Sequence, residues 1–266
     1  MEAYTREYAK QFGARKRLGQ NFLLDGKVAE TEAKFAKGRA VLEIGPGLGI
    51  LTEALCSSAS KVLAVEKDTR LFSELEGRLR CRNLRLINSD FFDLGVETRG
   101  YDMLVSNIPY NLSSKTLFWI IRNRMEAVLC LQKEFVEHMV AKSGTRKYSR
   151  LSVTSHLTLN VEKVMEVDAS SFYPKPKVDS EVVHITCRDL LLTDKESDMI
   201  SLIMEHKKKK LRNAVIDSAS KLGIGKMLAR HAAERLSSTD ARVFAMKPEE
   251  ILASARELIS VLGSLE

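Results

Sequence analysis

The sequence predicts an α/β protein, with a mostly parallel sheet covered by helices on both faces and a small α-helical domain at the C-terminal end. Three observations predict it. Short apolar runs alternate with longer amphipathic stretches as far as Cys187. The first strong run ends in the turn Gly45-Pro46-Gly47-Leu48-Gly49 and leads into a helical pattern. Beyond about Arg188 strand-like runs stop, and Leu and Ile recur at helical spacing.

Ala40–Ile44 reads as a buried strand, followed by strands at residues 61–65, 84–87, 103–106 and 127–131. Between them lie helices at residues 48–57 and 69–80, the latter with Leu71, Leu75 and Leu79 on one face. A further helix at residues 113–122 takes Ser113 as its N-cap. Alternation of this kind implies a parallel sheet. Residues 161–168 and 181–186 read as a closing antiparallel pair. The boundary therefore falls near Arg188, with one domain at residues 1–188 and a helical domain at residues 189–266.

With 266 residues and 44% hydrophobic content, the chain is long enough for one large core and a small second domain. The net charge of +7 fits a polyanionic partner, and it fits a solvated basic surface equally well. Positive charge concentrates in Arg15-Lys16-Arg17 and in Lys207-Lys208-Lys209-Lys210 with Arg212. Cys56, Cys81, Cys130 and Cys187 form no C-x-x-C pair, which speaks for reduced thiols and against a zinc site or disulfide framework. Residues 1–17 are charged, with Glu2 and Glu7 among them, and lack a signal-peptide core. No run approaches the ~18 apolar residues of a membrane span. A soluble cytoplasmic protein is expected. The histidines are scattered, with no metal triad, so no metal is expected; Trp119 and the methionines are expected in the core.

A strand ending in Glu43-Ile44 and running through a G-x-G-x-G turn into a helix is a nucleotide-cofactor turn. The spacing differs from the G-x-G-x-x-G of dinucleotide binders. Glu43 suits a cationic ligand better than a pyrophosphate, and S-adenosylmethionine carries a sulfonium and an ammonium. Glu66 ends the next strand, where a carboxylate bonds ribose hydroxyls, and Asp90 follows the third, placed to reach the cofactor's adenine amine. A purely structural turn with two surface acids would need these three features to coincide. The domain is therefore expected to be a Rossmann-like S-adenosylmethionine-dependent methyltransferase.

Asn107-Ile108-Pro109-Tyr110 follows the fourth strand, on the same sheet edge as the glycine turn. In isolation it would be an Asn-x-Pro turn; its position gives it chemistry. The amine of adenine is a poor nucleophile because its lone pair is delocalised into the ring. Two acceptors, the Asn107 side-chain oxygen and the main-chain carbonyl of Ile108 or Pro109, can take its two N–H bonds and aim the lone pair at the methyl. Transfer is then an in-line displacement, and the product cation loses its proton to water. Tyr110 can stack on the base, worth ~1–3 kcal/mol. The tetrad fixes an amine acceptor and leaves open the molecule that carries it.

These residues, with others over nearly the whole chain, resemble the small-subunit ribosomal RNA adenine dimethyltransferase family. Arg15-Lys16-Arg17-Leu18-Gly19-Gln20-Asn21-Phe22-Leu23 is similar to the family's K-x-x-G-Q-N-F-L segment. The similarity implies that Gln20, Asn21 and Leu23 line the cofactor pocket with Gly45, Gly47, Glu66, Asp90 and Asn107. Phe172-Tyr173-Pro174-Lys175-Pro176-Lys177-Val178-Asp179-Ser180 matches F-x-P-x-P-K-V-D-S, which implies that Phe172 flanks the target adenine opposite Tyr110. The segment around Lys209-Lys210-Leu211-Arg212-Asn213 resembles an RNA-facing stretch. Ser149 departs from the family, which usually has Gly there.

The resemblance implies dimethylation of the N6 amine of two adjacent adenosines near the 3′ end of small-subunit rRNA, late in subunit assembly. The partner is then small-subunit rRNA in a pre-ribosomal particle, with no membrane and a monomeric enzyme. Two other readings compete. A large-subunit rRNA adenine dimethylase would share the site, but the Phe172 to Ser180 segment and helical tail favour the first. A ribosome-assembly factor that binds RNA without catalysis would show an eroded glycine turn or Asn107 tetrad, and both are intact.

Overall fold

The computed structural model describes residues 6–264; residues 1–5, and with them Glu2, and residues 265–266 lie outside the described residues. The chain opens with α1 (Arg6–Phe12), β1 (Phe22–Leu23) and α2 (Gly26–Ala33). Asp25 caps α2 by accepting from Lys27 N at 2.9 Å. Then come β2 (Ala40–Ile44), α3 (Ile50–Ser58), β3 (Lys61–Glu66), α4 (Thr69–Arg78), β4 (Leu84–Asn88) and β5 (Met103–Ser106). After these follow α5 (Ser113–Asn123), β6 (Glu126–Gln132), α6 (Lys133–Met139), α7 (Arg150–Thr158), β7 (Leu159–Val167), β8 (Phe172–Tyr173) and β9 (Ser180–Cys187). The chain closes with α8 (Asp194–Glu205), α9 (Leu211–Asp217), α10 (Lys226–Glu234) and α11 (Pro248–Gly263).

Seven strands form one sheet in the order β4-β3-β2-β5-β6-β9-β7. The five from β4 to β6 are parallel, and β9 runs antiparallel to β6. Strand order reverses at β2, which pairs with β3 on one side and β5 on the other. A crevice outside the carboxyl ends of such strands is where an open α/β sheet takes its ligand. The central strands are buried on both faces, so they read as unbroken apolar runs: Val62, Leu63, Ala64, Leu104, Val105 and Leu129 have no exposure.

Some local expectations change. The helix expected to reach residue 80 stops at Arg78, because Leu79 turns extended at ψ 130°. Ser113 is the first residue of α5 and not its cap; its hydroxyl donates to the Tyr110 carbonyl at 2.9 Å. Trp119 is only half-buried, edge-on to Phe91, and Met227 on α10 is 84% exposed, so neither is a core residue. One pairing has no local signal: β1 and β8 form a two-stranded antiparallel sheet, with Leu23 opposite Phe172 and Phe22 opposite Tyr173.

The chain divides into two compact units. The first runs to Val136 and resumes over Val161–Cys187; the second takes Glu137–Asn160 together with the chain from Arg188 on. Residues 137–160 thus join the helical unit instead of the sheet. Their apolar side chains explain it: Tyr148, Val153 and Leu157 share one core with Ile200, Ile203, Leu211 and Leu258. The Tyr148 hydroxyl donates to the Met246 carbonyl at 2.9 Å inside that core. Ser149 is extended at φ −154° and starts α7 in a reciprocal cap with Ser152, so the position does not need glycine. Within the same unit Lys209 pairs with Asp217, Lys210 pairs with Asp240, and Lys207 donates to the Tyr148 carbonyl. Lys208 is exposed. Among the described residues no helix is long and apolar enough to cross a membrane.

Candidate active site

The site is built at the carboxyl edge of the first unit's sheet, where β2 gives way to α3. Gly45, Gly47 and Gly49 all take positive φ, at 66°, 60° and 88°, which lets three residues of turn reverse without strain. The Gly47 N–H donates to Glu66 Oε2 at 3.1 Å, so the acid at the end of β3 holds the turn. Glu66 Oε1 accepts from Asp68 N at 2.8 Å. β5 is tied to β2 past their ladder by the Ser106 hydroxyl, which donates to the Ile44 carbonyl at 2.7 Å. That bond sets Asn107 beside the glycine turn.

The N-terminal segment closes over this edge. Gly19 packs so tightly that a Cβ there would lie 2.5 Å from Asn111 Oδ1, and its φ of 66° is itself a glycine conformation. Gln20 accepts from Arg15 N at 2.8 Å and donates to Asp68 at 3.2 Å, while Asn21 donates to the Gly19 carbonyl at 3.3 Å. Arg15 and Arg70 both pair with Asp68, at 3.2 and 2.8 Å. Burial alone would raise the Asp68 pKa, but the bonds from Arg70 and Gln20 hold it down to about 2.

Gln20, Asn21, Leu23, Glu43, Gly45, Gly47, Glu66, Asp90, Asn107, Pro109, Tyr110 and Phe172 all line one cavity, as do Arg17 and Cys130. Some are more committed to the protein than their sequence suggests. Asp90 pairs with Lys67 at 2.7 Å and accepts from Phe92 N at 3.0 Å. The Tyr110 hydroxyl bonds the Ser180 hydroxyl at 2.6 Å, which anchors the ring. Burial pushes the Tyr110 pKa up to about 12, so it stays neutral. Phe172 reaches the cavity through the β1–β8 pairing.

One residue in this neighbourhood carried no motif. Glu32 on α2 is fully buried, and its Oε2 accepts from Asn107 Nδ2 at 2.8 Å. A signal did exist: Glu32 lies one turn after Val28, on the face where Val28, Ala29 and Ala33 are buried. A carboxylate on the apolar stripe of a helix is worth attention.

Three buried carboxyl groups therefore surround the edge. Burial raises Glu32 and Glu43 from 4.5 to about 8 and Glu66 to about 7. Each neighbouring negative charge adds to the rise, Glu43 for Glu32, Glu66 for Glu43 and Asp68 for Glu66. Glu43 Oε2 and Asn107 Oδ1 are buried without a partner. Partnerless acceptors and confined acids are what a cationic ligand with N–H groups would satisfy. S-adenosylmethionine fits that requirement. Among the described residues no group of three His, Cys, Asp or Glu is placed to hold a metal.

The sign of the pH dependence follows. These carboxyls stay protonated in the folded, ligand-free protein after they would have ionised in the unfolded chain. Their contribution to stability is complete below about 4.5 and is lost as pH rises through 7 to 8. A cationic ligand favours their ionised forms. The affinity for S-adenosylmethionine, measured by calorimetry, is expected to rise between about pH 6 and about pH 9. S-adenosylhomocysteine, which lacks the sulfonium charge, is expected to rise less.

The doubly wound sheet, the glycine turn and the acids at successive strand ends define a Rossmann-like S-adenosylmethionine-dependent methyltransferase. The particular family follows from the comparisons: the chain belongs to the ribosomal RNA adenine dimethylases, whose family model matches residues 11–239. A probable ribosomal RNA small subunit methyltransferase A of Thermococcus gammatolerans is 37% identical over 240 residues, 88% of this chain and 86% of the relative. One of the same description from Methanothermobacter thermautotrophicus is 36% identical over 270 residues, 98% of this chain and 97% of the relative. Among solved structures, a dimethyladenosine transferase from Plasmodium falciparum matches with TM-score 0.76 and 28% identity, covering 90% of this chain and 98% of that one. The 23S rRNA methyltransferase ErmE matches with TM-score 0.59 and 26% identity, covering 90% of this chain and 100% of its own. The chain is an rRNA adenine dimethyltransferase that uses S-adenosylmethionine as methyl donor.

Proposed function

We propose that this enzyme dimethylates the N6 amines of two adjacent adenosines near the 3′ end of small-subunit rRNA, within a pre-ribosomal particle. The observation that carries the amine-acceptor part is Asn107. Its Oδ1 is buried, has no partner, and belongs to a residue in the wall of the same cavity as the glycine turn. That oxygen accepts one amine N–H. The Pro109 carbonyl already accepts from Leu112 N at 2.8 Å, which favours the Ile108 carbonyl as acceptor of the second N–H in this reading. Holding both N–H bonds turns the nitrogen lone pair out of the ring plane. Bound S-adenosylmethionine supplies an electrophilic methyl group. Glu43, Glu66 and the glycine turn hold the donor, with Gln20, Asn21, Leu23 and Asp90 completing the wall.

The rings of Tyr110 and Phe172 sandwich the base in this reading, with the Tyr110 ring anchored through its hydroxyl to Ser180. A base that enters such a cavity must be unstacked, which favours a single-stranded loop or a flipped adenosine. Arg17 in the cavity wall, with Arg15 and Lys16, and Lys208 with Arg212 on the helical unit hold flanking phosphates, so binding falls steeply with salt. The small-subunit names of the archaeal relatives support this over the large-subunit reading. The intact site supports it over an assembly factor without catalysis. A single copy working in the cytoplasm completes the proposal.

The test is methylation of purified undermethylated small subunits, beside naked small-subunit rRNA and large subunits, with mapping of the modified bases. Label on two adjacent adenosines of the small subunit is expected. Label on a large-subunit adenine would overturn the assignment.

A further inference from the structure

We infer that Glu32 is a positioning residue for methyl transfer: it fixes the Asn107 side-chain amide so that Oδ1, and not the NH2 group, faces the substrate amine. This rests on the reading of Asn107 as the acceptor-site residue.

The two ends of a side-chain amide have nearly the same shape, so packing alone does not choose between them. Chemistry does. With the cationic donor bound, which favours the ionised form of Glu32, the carboxylate can only accept, so the group 2.8 Å from Glu32 Oε2 is then the Asn107 NH2. Oδ1 is then turned away from Glu32, and it has no partner in the protein. An amine that offers its two N–H bonds needs an acceptor there; a misturned NH2 would meet it donor to donor.

The position of Glu32 argues that the group is kept for this task. It stands on the apolar face of α2 with no exposure, and its Oε1 has no partner. A leucine of similar volume would suit Val28, Ala29 and Ala33 better and would remove a buried ionisable group. Among the described residues no cationic group faces it: the other titratable groups that do are Glu43 on β2 and Cys130 on β6, so its ionised form depends on a cationic ligand. The Asn107 amide is its single described partner, so what Glu32 does for the molecule it does through Asn107.

The test compares Glu32→Leu and Glu32→Gln with the wild type and with Asn107→Ala, on purified undermethylated small subunits. Glu32→Leu is expected to fold, because the apolar side chain that suits the helix face offsets part of the bond the Asn107 NH2 loses. Its kcat is expected to fall by about 10–100-fold, with KM for both substrates within about threefold. Glu32→Gln can still present an oxygen to the Asn107 NH2 without enforcing it, so its kcat is expected to lie between the two. A Glu32→Leu kcat within about threefold of wild type, beside an inactive Asn107→Ala, would overturn the inference and leave the acceptor-site reading standing. A loss of cofactor affinity as large as the loss of kcat would also overturn it, since that marks a general distortion of the pocket. Should Glu32→Leu not fold, Glu32→Gln decides alone: an undiminished kcat overturns the inference. Normal transfer by Asn107→Ala would instead sink the reading on which it rests.

Discussion

Asn107→Ala is expected to lower methyl transfer by about 10³-fold or more, while S-adenosylmethionine binds within about threefold of wild type. The rate falls because the substitution removes the buried, partnerless acceptor from the cavity wall. Affinity survives because the groups that shape the donor pocket are built independently. The Gly47 N–H still bonds Glu66, and the Ser106 hydroxyl still ties β5 to the end of β2. The variant also strips Glu32 of the amide it accepts from, so the carboxyl becomes harder to ionise and the protein loses about 1–3 kcal/mol. Asn107→Asp sharpens the comparison. It keeps an acceptor but sets two carboxyls at hydrogen-bond distance, where they must share a proton. Its residual transfer is expected to depend on pH, whereas that of the alanine variant is not. Single-turnover rates at saturating donor and isothermal calorimetry separate the two quantities.

The parts of this site that could be read from sequence are those where one short segment carries its own physics. Buried parallel strands are continuous apolar runs, so β2 and β5 end where expected, at Ile44 and Ser106. The glycine turn and the acid closing β3 follow from those strand ends. What could not be read depends on partners far along the chain. The two-residue strands at Phe22 and Phe172 have no periodicity, and their pairing spans most of the sheet. Glu32 belongs to no motif, and its bond to Asn107 joins residues 75 positions apart, so its place beside the site is set by the fold. Residues 137–160 follow the sheet in sequence, yet Tyr148 and Val153 complete the helical core. Asp90 and Gln20 line the cavity, but sequence alone does not tell that Lys67 and Asp68 already engage their side chains.

Glu66→Ala is expected to weaken S-adenosylmethionine binding by about 10–100-fold and to leave binding of undermethylated small subunits nearly unchanged. The carboxylate has two tasks in the structure. Each oxygen accepts a backbone N–H, from Gly47 on one side and Asp68 on the other, so it clamps the glycine turn to the end of β3. Its charge, 5% exposed, is also held where a cationic donor restores the ionisation that burial resists. Alanine removes both and leaves two buried N–H groups without acceptors. Glutamine is expected to do little better, since it has one accepting oxygen and its NH2 would face the other N–H. Aspartate keeps the charge on a shorter arm that does not span the two donors, and is expected to fall between them. Rescue at high pH separates the tasks: aspartate regains affinity as it ionises, whereas alanine and glutamine do not gain from the ionisation of residue 66. Equal losses of donor and subunit binding, by calorimetry and by gel shift, would mean that Glu66 supports the whole edge of the sheet and not the donor pocket.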